Sequence, residues 1–143
     1  MRKYPDRPIV AVGAVILDGD RVLLVKRGQE PLKGEWSLPG GVVELSETLE
    51  AALTREVREE TSLDIAVGPV IEVLESIRRD ADGRAEYHYI IIDYVCHVRA
   101  GAPTAAACGS DADGVCWVGI ADLDRYRVTA AAAAVIRKAL RGF

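Results

Sequence analysis

Residues 41–63 read GVVELSETLEAALTREVREETSL and contain three glutamates whose spacing decides the fold. An α-helix turns about 100° per residue, so Glu56, Glu59 and Glu60, at positions i, i+3 and i+4, share one face. The same helical wheel places four apolar side chains near Glu56: Leu49, Ala52, Leu53 and Leu63. The opposite face carries Glu47, Glu50, Thr54, Arg58 and Thr61. We therefore expect the three glutamates to lie on the core-facing side of a helix.

Three carboxylates on a partly buried helix face repel one another, and each raises the pKa of the others unless a cation lies between them. A bound divalent metal ion relieves that repulsion. Ligands that are all oxygen suit Mg²⁺ or Mn²⁺, whereas zinc calls for cysteine or histidine. The competing interpretation is a solvated acidic helix face, the usual reason for a charge run. The apolar neighbours on the wheel argue against it.

The stretch 41–63 resembles the Nudix box, a pattern of G, five residues, E, seven residues and REUXEEXGU, in which U is a bulky aliphatic residue. Eight positions match at the correct spacing: Gly41, Glu47, Arg55, Glu56, Val57, Glu59, Glu60 and Leu63. One position departs, because Ser62 stands where the family carries glycine. The segment GEWSLPGG at 34–41 is also similar to the strand and loop that precede the box in this family. So many fixed positions make the pattern highly specific.

The resemblance implies an enzyme that hydrolyses the pyrophosphate of a nucleoside diphosphate linked to another moiety, with Mg²⁺ or Mn²⁺ as cofactor. It assigns as metal ligands the Gly40 carbonyl and the carboxylates of Glu56, Glu59 and Glu60. Many family members place a further metal-binding acid in a late loop. Asp111, six residues before Trp117, is the first candidate for this acid, and Asp113 is the second. The alternative for both is an ordinary loop acid without a metal-binding role.

The catalytic residues predicted from this resemblance are Glu56, Glu59 and Arg55. The general base stays open among Glu56, Glu59 and a loop acid, and Arg55 can reach Glu59 at i+4 and orient it. Arg27, at the end of the second predicted strand, is a candidate phosphate contact, although exposed arginines are common at strand ends. Three aromatic residues could stack a nucleobase or merely pack: Tyr87, Tyr89 and Trp117.

Substrate identity is less sharply indicated. The PxxAVGAVI pattern at 8–16 and the late aspartate loop favour ADP-ribose or another nucleotide sugar. The alternatives are a nucleoside triphosphate pyrophosphohydrolase that removes damaged nucleotides and a Nudix-fold sensor that binds nucleotide without cleaving it. A diphosphate isomerase, a branch of the same fold, needs a catalytic cysteine, and the cysteines here lie outside the box.

The length predicts one domain, 1–143, and the Nudix resemblance implies a small-molecule nucleotide as the partner. The net charge is −4, and the box, with six acidic residues and two arginines, accounts for all of it. A neutral remainder offers no electrostatic attraction to nucleic acid polymers or anionic membranes, so metal must substitute for a cationic pocket. Three cysteines without metal-ligand spacing fit a reduced cytoplasm. The resemblance is compatible with a homodimer, since many relatives pair.

Periodicity and turn residues predict an α+β fold, which agrees with the Nudix-type α/β/α sandwich, a mixed sheet between helices. The expected strands cover 9–17, 21–26, 36–38, 64–77, 85–98 and 115–118. Ser46 is the expected N-cap of a box helix that runs to about Thr61. Ser62 stands at the glycine position, where two endings stay open: a left-handed residue, as glycine would be, or a different helix ending. Thr129 is expected to cap a closing helix that turns Val135, Ile136 and Leu140 inward.

Overall fold

A computed structural model describes residues 2–106 and 112–142, apart from the side chains of Ala112 and Asp113. In chain order the elements are β1 (Ile9–Asp18), β2 (Arg21–Arg27), β3 (Trp36–Ser37), β4 (Gly40–Val42), α1 (Leu49–Thr61), β5 (Ile65–Arg79), β6 (Ala85–Val98), β7 (Ala112–Gly119), a 3₁₀ helix (Ile120–Arg125) and α2 (Ala130–Leu140). The predicted helices and strands are present. Short β4 and the 3₁₀ helix were not predicted, because neither is long enough to show a period.

The sheet is mixed and forks at β1. Along one side β1 pairs in parallel with β6, from Ile9 opposite Tyr89 to Ile16 opposite Cys96. Along its other side β1 pairs with β4 first and then, at Leu17 and Asp18, with β2. Strand β1 is a nearly continuous apolar run because it is covered on both faces, as parallel strands usually are.

One helix covers each face of the sheet, which confirms the α/β/α sandwich. Ala52, Leu53 and Val57 of α1 pack with Val12, Ala14 and Ile16 of β1 in one core cluster. Val135, Ile136 and Ala139 of α2 pack with Val15, Val22 and Leu24 in the other. Neighbouring residues of β1 therefore enter opposite cores, as the strand period requires. In the part of the chain that the structure describes, no helix is long and apolar enough to span a membrane.

The predicted N-cap of α1 is wrong by two residues. The cap is Thr48, whose Oγ1 accepts a hydrogen bond from the Ala51 N–H at 3.1 Å. Ser46 has a φ of 70° and lies in the preceding turn, where the Glu47 N–H donates to the Glu44 carbonyl oxygen at 3.0 Å. Both residues are good caps in isolation, so the choice depends on the turn rather than on residue preference.

Two side chains lie on the other side of their helices from the side predicted. Thr61 is completely buried. Its hydroxyl is satisfied there, because it donates to the Val57 carbonyl oxygen at 2.6 Å and accepts from the Leu63 N–H at 3.2 Å. Leu140 is 46% exposed and is the last residue of α2. The other inward residues of α2 and its cap, Thr129, are as predicted.

Ser62 takes the left-handed conformation, one of the two helix endings that the sequence left open. Its φ is 66° and its ψ is 8°, and its N–H donates to the Arg58 carbonyl oxygen at 2.9 Å. Helix α1 therefore ends as a glycine-capped helix would, but with a side chain at the position where glycine is preferred.

Candidate active site

Two glycines of β4 allow close approaches, Gly41 to the box helix and Gly40 to β1. Gly41 lies opposite Val12 and Gly40 opposite Gly13 in the β1–β4 ladder. A Cβ on Gly41 would overlap the Glu56 carboxylate, and a Cβ on Gly40 would overlap the Val12 carbonyl oxygen. Gly40 also has a φ of 154°, which side-chain-bearing residues rarely adopt. The Pro-Gly-Gly sequence therefore makes room for a carboxylate beside the backbone of β4.

Arg55 binds three box glutamates with one guanidinium group. Its Nε and Nη2 donate to the two Glu47 carboxylate oxygens at 2.6 and 2.9 Å. Its Nη1 donates to Glu56 at 2.8 Å and to Glu59 at 3.3 Å, so the predicted i, i+4 contact is present. Nη2 also donates to the Val42 carbonyl oxygen at 3.2 Å, which ties α1 to β4. We call this surface, from Gly40 to Ser62, the box face.

The glutamates of the box face differ in proton affinity. The hydrogen bond from Arg55, helped by the Glu44 N–H, lowers the pKa of Glu47 to about 2. Burial raises the pKa of Glu56, and the Arg55 hydrogen bond only partly opposes that shift. Glu47 is thus a fixed anion that holds Arg55, whereas Glu56 is a more basic carboxylate.

The predicted core-facing stripe is correct for Glu56 but not for Glu59. The Glu56 side chain is 18% exposed and that of Glu59 54% exposed. The fully buried residues of α1 are Ala52, Leu53, Val57 and Thr61, so Glu56 lies at the border of that stripe and Glu59 lies outside it. Glu60 lies at the edge toward β4, where its Oε1 accepts the Gly40 N–H at 2.7 Å.

The donor set fits Mg²⁺ or Mn²⁺ by its chemistry, because all of its candidate ligand atoms are oxygens. Glu56 and Glu59 share one Arg55 nitrogen, so their carboxylates lie side by side, and the missing Cβ of Gly41 leaves the space that the Glu56 carboxylate occupies. Within residues 2–106 and 112–142, no three acidic, histidine or cysteine side chains already form a metal cluster. Asp111 and the side chain of Asp113 lie outside the described part of the chain.

A buried acid that the sequence did not single out lies beside Gly13 of β1, the residue opposite Gly40. Asp93 of β6 is opposite Gly13, is 3% exposed, and its Oδ1 occupies the space that a Cβ on Gly13 would need. Burial, with a contribution from the charge of Glu72, raises the pKa of Asp93 to about 6. Its position inside an apolar strand gave no local sign of this environment.

A cavity of about 570 Å³ opens at the end of β2, and we call it the basic cleft. It is lined by Arg2, Lys3, Gly28, Gln29, Glu30, Lys33, Tyr87 and Tyr89. Arg27 lies next to this lining, and its Nε donates to the Pro31 carbonyl oxygen at 2.7 Å, which braces the 28–33 loop. Arg2, Lys3 and Lys33 were not predicted as site residues, because only the fold brings these distant segments together.

Of the three aromatic candidates, two line the cleft and one does not. Tyr89 is partly exposed to the cleft, whereas Tyr87 is 9% exposed and mostly packed. Trp117 donates from Nε1 to the Thr104 carbonyl oxygen at 2.8 Å, and the Arg21 guanidinium lies 4.5 Å from its ring centroid. Arg21 begins β2 and the cleft lies at its other end, so Trp117 has a packing role.

The chain is similar in sequence to known proteins. A sequence model described as the NUDIX domain matches residues 7–139. Over 94 residues the chain is 42% identical to the ADP-ribose pyrophosphatase of Methanocaldococcus jannaschii, covering 66% of this chain and 53% of that protein. Over 77 residues it is 38% identical to the CTP pyrophosphohydrolase of Escherichia coli, covering 53% of this chain and 55% of that one. The chain thus spans about half the length of these two relatives.

The fold is also similar to a solved structure. The crystal structure of the MutT NUDIX hydrolase from Burkholderia pseudomallei superposes with a TM-score of 0.78 at 27% identity. The match covers 93% of this chain and 98% of that one. Sequence and fold therefore point to the same family.

Proposed function

The chain belongs to the NUDIX family, and from that premise we propose that it hydrolyses the pyrophosphate bond of a nucleoside diphosphate linked to another moiety. The observation that carries the proposal is the contact of Arg55 with Glu47, Glu56 and Glu59 next to a glycine backbone. Such a set of ordered carboxylates suits reactions of phosphate groups that are assisted by divalent cations.

Mg²⁺ or Mn²⁺ is the proposed cofactor, held by Glu56, Glu59 and Glu60 with the Gly40 carbonyl and a loop acid, Asp111 or Asp113. When bound, the ion would neutralise phosphate oxygens and lower the pKa of a bound water molecule. The protein itself positions the carboxylates. Arg55 holds Glu56 and Glu59 at 2.8 and 3.3 Å, which limits their motion before substrate arrives.

The general base remains a choice among Glu56, Glu59 and the loop acid. Glu56 has the advantage in basicity, because burial raises its pKa. Glu59 has the advantage in access, with a side chain 54% exposed. Proton transfer from water needs both an adequate pKa and hydrogen-bond reach, so separate pH profiles of the two Gln variants are the way to assign it.

For the substrate we propose ADP-ribose or another nucleotide sugar. The similarity to an ADP-ribose pyrophosphatase over 66% of this chain supports it. The similarity to a CTP pyrophosphohydrolase, over 53% of this chain, keeps a nucleoside triphosphate as the second candidate. A sensor that only binds nucleotide is the third, and the complete set of box carboxylates disfavours it.

The proposal is tested with ADP-ribose, nucleotide sugars, dinucleotides and nucleoside triphosphates, each with Mg²⁺ and with Mn²⁺. We expect AMP and ribose 5-phosphate from ADP-ribose, with one ¹⁸O from labelled water in one of the two products by mass spectrometry. Excess chelator should abolish turnover and Mg²⁺ or Mn²⁺ should restore it, whereas Ca²⁺ should restore little. Orthophosphate as the primary product from every substrate would contradict the proposal. Binding without turnover would support the sensor.

A further inference from the structure

The segment before β1, residues 2–8, is fastened to the far end of the β5–β6 hairpin through Tyr4. The Tyr4 N–H donates to the Glu86 carbonyl oxygen at 2.7 Å. Its hydroxyl donates to Asp80 at 2.8 Å, and Glu86 lies at 3.3 Å. The Arg84 guanidinium lies 4.4 Å from the centroid of the Tyr4 ring. Four contacts thus fix one residue of an otherwise irregular segment.

Tyr4 has a φ of 54°, a left-handed conformation that costs free energy for a residue with a side chain. The contacts with Asp80, Arg84 and Glu86 stabilise Tyr4 in this conformation and offset that cost. The residues immediately before it, Arg2 and Lys3, reach the wall of the basic cleft. The Tyr4 anchor therefore determines where two cations are placed.

Strand β1 links the cleft to the box face. Tyr89 of the cleft lies opposite Ile9, and Val42 of β4 lies opposite Ala11, two residues further along β1. The cleft and the box face therefore lie beside the same end of β1.

The lining of the cleft indicates the chemistry of its occupant. The cleft is lined by three cations, Arg2, Lys3 and Lys33, and by one acid, Glu30. Oε1 of Glu30 accepts a hydrogen bond from the backbone N–H of Lys33 at 3.1 Å. Lysine and arginine bind phosphate, and an aromatic ring such as that of Tyr89 contacts a base or sugar face. A volume of about 570 Å³ lies within the range of small-molecule sites.

We propose that the basic cleft binds the phosphorylated nucleoside half of the substrate, and that Tyr4 is the positioning residue that places Arg2 and Lys3 on its phosphate. This inference rests on the proposed function for its substrate class. It adds the residues that select the substrate, none of which lies in the box.

The direct test is binding of AMP by calorimetry to the Glu59→Gln protein without divalent metal, so that neither turnover nor a metal bridge contributes. We expect the Arg2→Ala/Lys3→Ala pair to weaken AMP binding by about tenfold, the scale of one charge-assisted hydrogen bond. Adenosine binding should change less than twofold, because it lacks the phosphate. Arg7→Ala is the matched control, since its side chain is 80% exposed and pairs only with neighbouring Asp6 among the described residues.

Tyr4→Phe tests the positioning role, because it removes the hydroxyl and keeps the ring beneath Arg84. AMP should bind about threefold more weakly, and KM for the substrate should rise with kcat unchanged. Asp80→Asn should behave similarly. A lower melting temperature with unchanged KM and AMP affinity would show a merely structural contact and overturn the role of Tyr4.

The cleft assignment is overturned if wild-type protein does not bind AMP, if the double variant binds AMP as wild type does, or if adenosine binding falls equally. Loss of AMP binding in Arg7→Ala would have the same meaning. These outcomes are independent of catalysis. A protein that binds AMP through Arg2 and Lys3 but hydrolyses no pyrophosphate would retain the cleft and lose the proposed function, and the reverse pattern would retain only the function.

Discussion

The box face and the basic cleft are adjacent, but they are encoded differently. Every residue of the box face comes from one stretch, 40–62, in which helical spacing alone places Glu56, Glu59 and Glu60 near one another. The cleft is assembled from 2–3, 28–33 and 87–89, which only the sheet brings together. The first surface can be read from spacing, whereas the second requires the fold.

Their charges differ as well. The box carries the entire net charge of the chain, and this predicted that no cationic pocket would exist. The structure shows instead that the rest of the chain, although neutral in sum, has local charge: Arg2, Lys3 and Lys33 line the same cavity. Net charge constrains long-range attraction but does not describe how the charges are distributed.

The largest expected difference between the box face and the basic cleft is in variants of Glu59 and Glu60. Glu59→Gln and Glu60→Gln should each lower turnover at least about 100-fold, the scale of losing charge stabilisation or proton transfer, while AMP binding stays within twofold. Steady-state kinetics and calorimetry on the same preparations measure both. Glu50→Gln, on the exposed side of the first turn of α1, is the control. Full activity in either variant would remove the metal-site assignment.

Arg55→Lys should give the next largest effect. A lysine cannot pair with both Glu47 oxygens and also contact Glu56 and Glu59. We expect kcat to fall about 10- to 100-fold through misplaced carboxylates, again with normal AMP affinity. Arg58→Lys, an exposed arginine of the same helix that pairs with Asp64 at 2.9 Å, should be nearly neutral. Unchanged kcat in Arg55→Lys would mean that Arg55 does not position the glutamates.

Asp93→Asn should change stability rather than activity. Burial raises the Asp93 pKa to about 6, above its ordinary 3.8, so the folded protein binds this proton more tightly than the unfolded chain. Wild type should therefore lose stability as the pH rises from about 4 to 6, and the variant should not. By pH 8 the variant should be more stable by about 1–2 kcal/mol in chemical denaturation. A stability difference that does not vary with pH would contradict the account.

Ser62→Gly should give the smallest effect. Because φ is 66°, glycine removes strain worth roughly 1 kcal/mol, partly offset by the greater entropy of the unfolded chain. The free energy of unfolding should rise by some tenths up to about 1 kcal/mol, with unchanged kcat because Glu59 and Glu60 precede the cap. Ser62→Ala keeps the Cβ and should show no gain. A destabilised Ser62→Gly protein would refute this explanation.

The parts of the fold with a long period could be predicted, and the parts determined by tertiary contacts could not. Strand β1 and the β5–β6 hairpin follow from β-rich runs bounded by turn residues, and helix α1 follows from helical spacing. The cap at Thr48, the three-residue strand β4 and the burial of Asp93 depend on neighbours from elsewhere in the chain. Among site residues, the spacing predicted the Arg55–Glu59 contact but gave no sign of Arg2 or Lys3.

The forked strand β1 has a consequence for the kinetics of folding. Its parallel ladder joins Ile9 to Tyr89 and Ile16 to Cys96, so a very long loop must close before the ladder forms. Helix α1 begins from hydrogen bonds within one turn, and the β5–β6 hairpin from the short turn between Asp80 and Arg84, so both can form earlier. On refolding from denaturant, helical signal should therefore return before AMP binding, because β1 and its preceding segment complete the cleft only when the long loop has closed.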